Sequence, residues 1–296
     1  MQKKLKSYLM PIAMTVGTLF HPWLAKLGFL TPYLIFIMLF FAYSKLKLNE
    51  IHFSKLHVIL VSIQILGSLV IFLAIQPFNL TVAQGVMICV LAPTATAAPV
   101  ITGMLRGNVA SLTAFSLISN LSVALTAPIF FSFIGTNQDM PFVESFLLIM
   151  KPMFTLLLLP LIMVVILRKF LPRTIGWIGS HSAISFYLWV GALTIVTGRT
   201  VDFVMRESDG NYSTSIWIAA GALVVCLFQF IAGRRIGREF DDTVAGGQGL
   251  GQKNTILAIW MAQTYLNPIA SIGPGSYVLW QNLINSYQVW RKRKTL

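Results

Sequence analysis

Residues 85–105 read GVMICVLAPTATAAPVITGML, an apolar stretch about as long as a membrane span with two prolines near its middle. Pro99 has no N–H for the carbonyl four residues back, and its ring pushes Ala98 away from helical backbone. The spacing predicts a helix broken in mid-membrane between Pro93 and Pro99, with Thr94, Ala95, Thr96, Ala97 and Ala98 in the gap. Backbone freed at that depth finds no water, so it must be satisfied by protein or line a wet cavity, and the hydroxyls of Thr94 and Thr96 suit both. A proline kink satisfied by neighbouring helices is the alternative.

A second stretch, AGGQGLGQKNTILAIWMA at 245–262, sets Gly246, Gly247, Gly249 and Gly251 beside Gln248, Gln252, Lys253, Asn254 and Thr255. As a membrane helix it is flexible, and its polar side chains must all find partners away from lipid. Were it a cytoplasmic loop to about residue 255, only ILAIWMAQTYLN would remain, too short to cross. Two interruptions in corresponding places of two halves point to a transporter's binding site.

The rest of the chain fits a bilayer. Of its 296 residues 56% are hydrophobic and 10% charged, with a mean hydropathy of +0.76, against about 25% charged in a soluble domain. Apolar windows between polar or Pro/Gly punctuation give an all-α polytopic protein with spans near 6–25, 30–45, 56–76, 81–105 and 108–134, then 142–167, 175–198, 213–234, 243–267 and 271–290. Ten spans divide Lys and Arg unevenly. One side receives Lys3, Lys4, Lys6, Lys45, Lys47, Lys55, Arg106, Arg168, Lys169, Arg173, Arg234, Arg235, Arg238, Arg291, Lys292, Arg293 and Lys294, a total of 17 of the 22. The other receives Lys26, Arg199 and Arg206, while Lys151 and Lys253 fall within spans. This places both termini in the cytoplasm of a protein of the cell inner (plasma) membrane. Five spans per half is odd, so 1–135 and 141–296 enter from opposite faces as an inverted repeat within one transport domain, 1–296.

The net charge of +13 is dispersed between apolar stretches, which argues against nucleic acid. The opening MQKKLKSYLMPIAMTVGTLF imitates a signal peptide, but no small-x-small cleavage site follows and FHPWLAKLG leads into a second apolar run, so a first span is preferred. Cys89 and Cys226 lie in apolar runs and read as small core residues. His21, His52, His57 and His181 have no metal spacing, and Lys151 reads as a snorkelling side chain. The nine acidic residues, Glu50, Asp139, Glu144, Asp202, Glu207, Asp209, Glu239, Asp241 and Asp242, all fall in loops or at span ends.

In PTATAAPVITGMLRGNVASLTAFSLISNLSVALTAPIF at 93–130, GQGLGQKNTILAIW at 247–260 and GPGSYVLWQNLINS at 273–286, the chain resembles the bile acid:sodium symporter family over most of its length. The resemblance implies ten spans with broken helices 4 and 9 crossing near the midplane. It implies a core of spans 3–5 and 8–10, a panel of spans 1, 2, 6 and 7, and substrate between them. It also implies sodium sites, and here the sequence departs. Ala98 and Pro99 stand where the family has a Ser-Asn pair, Leu112 replaces a span 5 ligand one turn before Ser116, and Gln248 replaces an acidic ligand. Gln64 and Gln252 match the pattern, leaving Gln64, Ser116, Gln248 and Gln252 as candidate cation ligands.

Lys253 takes a position the family fills with Asn. An ammonium at bilayer depth is costly and should face a cavity or a partner. It could hold the crossover together where sodium does in relatives, or pair with an anionic substrate; snorkelling to the interface is the bland alternative. The leading expectation is a secondary carrier of a small organic anion, bile-acid-like or another carboxylate metabolite, with Thr94, Thr96, Lys253, Asn254 and Thr255 around the substrate. No cofactor is expected, sodium independence is favoured over sodium symport, and the protein is expected to be a monomer in the lipid bilayer. A receptor or scaffold that keeps the fold without transport is the reading from another class. Catalysis is not expected, because no nucleophile with a base, metal ligand set or acid pair lies within the spans.

Overall fold

The structure, a computed structural model, describes residues 2–45, 52–135, 140–181, 183–207 and 212–294. Lys47, Glu50, Asp139 and Asp209 lie outside the described residues, as do the side chains of Lys3, Lys4, Lys6, Glu207, Arg293 and Lys294. Within that range every named element is a helix.

In chain order these are α1 (Gln2–Leu19), α2 (His21–Leu24), α3 (Thr31–Ser44), α4 (Lys55–Ile75), α5 (Leu80–Leu91), α6 (Ala98–Met104), α7 (Val109–Ile134) and α8 (Phe142–Leu157). Then follow α9 (Leu159–Phe170), α10 (Pro172–Ser180), α11 (Ala183–Glu207), α12 (Ser213–Glu239), α13 (Thr243–Gly251), α14 (Thr255–Tyr265) and α15 (Ile272–Lys294). Six stretches are long and apolar enough to cross a bilayer: His21–Ser44, Lys55–Ile75, Val109–Ile134, Phe142–Phe170, Ile184–Arg206 and Ser213–Glu239. Their outward faces are apolar, as with Leu66 and Val70 on α4 and Val224 and Phe228 on α12. The chain is therefore a multi-pass helical membrane protein.

Most helix contacts fall within two groups. Helices α4 to α7 pack with α12 to α15, and α1 to α3 pack with α8 to α11. The groups meet where α7 touches α8 and where α14 touches α3 and α11. Within the first group, glycines let backbones touch: a Cβ on Gly246 of α13 would meet the Gly233 carbonyl of α12, and one on Gly273 would meet the Gly85 carbonyl of α5. Small residues at such crossings replace the hydrophobic drive that lipid removes.

Some expected boundaries need correction. The span expected near 142–167 is present as Phe142–Phe170 but is kinked: α8 ends at Leu157 and α9 begins at Leu159, because Pro160 cannot bond the carbonyl of Leu156. The span expected at 175–198 is two elements, α10 and the much longer α11, which runs on to Glu207. The polar residues after 198 stay helical because Asp202 is paired, with Arg206 Nε at 2.9 Å one turn on and His21 Nδ1 at 3.3 Å. A loop running to residue 255 is also ruled out, since 243–251 is helical and buried from Ala245 to Gly251.

Candidate functional site

Both expected interruptions are present. Helix α5 stops at Leu91, where Ala92 turns to extended backbone (ψ 138°) ahead of Pro93, and the chain resumes as α6 at Ala98. Helix α13 stops at Gly251, where Gln252 is extended, and α14 starts after Asn254. The two gaps cross and pair like a fragment of antiparallel sheet. Thr94 bridges to Lys253, Ala95 N donates to Gln252 O at 2.9 Å, and Asn254 N donates to Pro93 O at 2.8 Å.

A helix end leaves carbonyls without intrahelical partners, which is costly when buried. At the end of α5, the Gln64 amide Nε2 donates to Leu91 O at 2.8 Å and to Ala92 O at 3.1 Å. Lys253 Nζ donates to Val90 O at 2.8 Å, and Gln229 Nε2 reaches Cys89 O at 3.4 Å. At the end of α13, Thr94 Oγ1 donates to Gly249 O at 3.0 Å and Tyr277 Oη to Gly251 O at 2.8 Å. Gln281 takes both backbone groups of Lys253, accepting from its N–H at 2.8 Å and donating to its carbonyl at 3.3 Å. Ser119 Oγ closes the set, accepting from Thr94 N at 3.2 Å and donating to Gln64 Oε1 at 2.8 Å. Asn254 caps α14, its Oδ1 accepting from Leu257 N at 3.3 Å.

The expected site residues thus divide. Thr94, Lys253, Asn254 and Thr255 come together at the crossing, all buried, with Lys253 only 1% exposed. Lys253 points inward to Val90 in this conformation, between the two helix ends. Thr96 is half-buried at the edge of the gap, and among the described residues its side chain makes no hydrogen bond. Gln64 and Gln252 sit at the crossing, whereas Gln248 turns to α15, its Nε2 donating to Asn285 Oδ1 at 3.0 Å and Gln288 Oε1 at 3.2 Å. Ser116 is half-buried, and its carbonyl accepts from Asn120 Nδ2. Lys151 is exposed on α8, away from the crossing.

Four residues that hold the crossing, Ser119, Gln229, Tyr277 and Gln281, escape the sequence reading. Tyr277 and Gln281 carried a signal: two polar residues one turn apart in a membrane helix face the same way and must share a buried partner. A separate cleft of about 310 Å³ opens at the ends of α4 and α7, lined by His52, Ser54, His57, Asn108, Ser111 and Asp242 among others. There His57 joins two helices, Nδ1 accepting from Ser54 N at 3.2 Å and Nε2 pairing with Ser111 Oγ at 3.0 Å.

The sodium sites implied by the family resemblance fit these residues poorly. Ala98, Pro99 and Leu112 offer no side-chain oxygen, and the Gln64 oxygen already accepts from Ser119. Gln248 Oε1, on α13, and Gln252 Oε1, in the extended residue just after it, are buried and receive no hydrogen bond among the described residues. Compared with models of known families and with curated proteins, the sequence matches none.

Proposed function

We propose that the protein is a secondary carrier for a small organic anion, a divergent relative of the bile acid:sodium symporters. In this reading it crosses the inner membrane ten times with both termini cytoplasmic. The spans are α1, α2–α3, α4, α5–α6 and α7, then α8–α9, α10–α11, α12, α13–α14 and α15, the second five inverting the first. The group containing α5 and α13 is the core, the other group is the panel, and alternating access comes from one moving against the other.

The observation that carries the reading is the crossing of two interrupted helices through the Thr94–Lys253 bridge. Interrupted backbone at bilayer depth is costly and persists where it lines a ligand's path. Lys253 serves as the built-in cation of the crossing: its Nζ lies at the C-terminal end of α5, where helix carbonyls favour positive charge. A carrier so built needs no mobile cation to hold its core together. Of the residues expected around the substrate, Thr96 is the one left open to a ligand in this conformation.

Sodium symport is the second reading, favoured by the two undonated oxygens of Gln248 and Gln252. Thermal unfolding of the purified protein in detergent, with sodium exchanged for potassium, separates the two. A ligand that binds only the folded state stabilises it by about 2.7 kcal/mol at a hundred times its dissociation constant. The Lys253 reading expects the same midpoint in both salts; a sodium-specific rise overturns it and makes Gln248 and Gln252 cation ligands.

A further inference from the structure

Three arginines converge where α12 and α15 end. Arg234 and Arg238 lie one turn apart on α12, and Arg291 lies three residues beyond Gln288 on α15. Arg234 Nη1 donates to Gln288 Oε1 at 3.0 Å, which ties the two helix ends together and brings Arg238 and Arg291 into charge range of Arg234. The stem of Arg234 is held in place because it lies across Gly247 of α13, where a Cβ would collide with its Cγ.

Crowded like charges repel, and among the described residues no carboxylate pairs with any of the three. Glu239, Asp241 and Asp242 occupy the following turn, yet among the described residues none bridges to an arginine, and Asp242 lines the cleft beside His57. The arrangement gathers three guanidinium groups at one corner of the molecule. Guanidinium matches phosphate oxygens bidentately, and Arg is the side chain that fits phosphate recognition best.

The surroundings say where that phosphate comes from. Directly below the cluster, α12 shows apolar side chains outward, with Phe228 58% and Ile231 50% exposed. On α15, Leu279, Leu283, Tyr287 and Trp290 make an exposed stripe at helical spacing, and the Tyr287 and Trp290 rings lie 6.0 Å apart. Tyr and Trp mark the depth at which hydrocarbon gives way to headgroups, so the cluster lies at headgroup level beside acyl-chain surface. From this we infer that the arginine cluster at the ends of α12 and α15 binds the phosphate headgroup of an anionic phospholipid. The site is also linked to the interrupted helix, since Gln288 Oε1 accepts from Gln248 as well as from Arg234.

The test is thermal unfolding of detergent-solubilised protein titrated with phosphatidylglycerol, with phosphatidylcholine of the same acyl chains, and with inorganic phosphate. Phosphatidylglycerol is expected to raise the midpoint where phosphatidylcholine and inorganic phosphate do not. A basic residue near an anionic lipid surface contributes about 1 kcal/mol, roughly fivefold in affinity. Arg238→Gln with Arg291→Gln should therefore weaken the half-effect concentration by about 25-fold. Both residues are exposed, so their loss spares the packing. A control, Lys169→Gln with Arg173→Gln, removes two exposed charges elsewhere and should leave the titration unchanged. Equal weakening in the control, or none in the arginine variant, overturns the site. An equal rise with inorganic phosphate overturns the lipid as its occupant.

Discussion

A carbonyl oxygen at a helix end inside a bilayer has no water to fall back on, so each side chain at the crossing can be judged by the oxygen it serves. Lys253 serves Val90. Replacing it by Met removes the donor and leaves a buried carbonyl short of a partner, a loss of about 1–3 kcal/mol. Thr96 serves none, so Thr96→Val should change stability by less than about 0.5 kcal/mol while reducing anion uptake. The check is to run both variants through unfolding in detergent and uptake in vesicles. Unimpaired uptake by Thr96→Val removes that residue from the substrate's path, and an unchanged midpoint for Lys253→Met removes the built-in cation. The positions of these residues in the gaps were legible in the sequence, because proline chemistry and clustered polar groups announce a break. Their division of labour was not. Whether Lys253 points to Val90 or to a substrate depends on where the end of α5 lies relative to a gap about 160 residues later in the chain, and spacing along the chain does not encode that.

At the scale of elements, the interrupted helices are braced by uninterrupted ones that approach them closely. The pair α12 and α13 shows the mechanism, since Gly233 and Gly246 each occupy the place where the other's Cβ would stand. Gly246→Ala therefore sets a methyl group against backbone, which cannot step aside, and overpacking of that kind costs about 1–3 kcal/mol. Gly191, in α11, has nothing within 4 Å of its missing Cβ. There the same substitution should leave the midpoint unchanged or raise it, since Ala is favoured over Gly in a helix by about 0.5–1 kcal/mol. Unfolding midpoints of the two alanine variants provide the comparison, and similar shifts would mean that the close approach carries no weight. Element existence was easier to read than element ends. Hydropathy finds the apolar stretch at 142–167 but passes over the break before Pro160, since all the residues around it are apolar. It stops too early at 198 because it takes Arg199 and Asp202 as solvent-facing, whereas tertiary pairing with His21 keeps Asp202 helical.

The whole molecule poses the question of what holds its two helix groups in this arrangement. Apolar side chains join them, among them Ile35, Met38 and Leu39 of α3 and Ile256, Ile259 and Trp260 of α14, all in one buried cluster. Apolar surfaces slide at little cost, so the polar contacts between the groups decide the register. Thr200 on α11 makes two of them. Its Oγ1 accepts from Gln263 Nε2 of α14 at 3.0 Å, and it lies 3.0 Å from Ser271 Oγ in the turn before α15. Because the Ser271 hydroxyl donates to Pro268 O, the proton between the two hydroxyls comes from Thr200. Gln263 also reaches Val196 O at 3.3 Å. Under the alternating access proposed above, this cluster would have to open in every cycle and would act as a latch on the conformation seen here. Thr200→Val keeps the branched shape and removes the hydroxyl, and with it about 1 kcal/mol of preference for the latched state, a roughly fivefold shift in population. Val196 is fully buried beside Gln263, so a cysteine there should react slowly with a water-soluble thiol reagent. Adding Thr200→Val should then speed that reaction about fivefold at a temperature well below unfolding. If the unfolding midpoint falls while the reaction rate stays the same, Thr200 is an ordinary structural contact and the latch lies elsewhere between the groups.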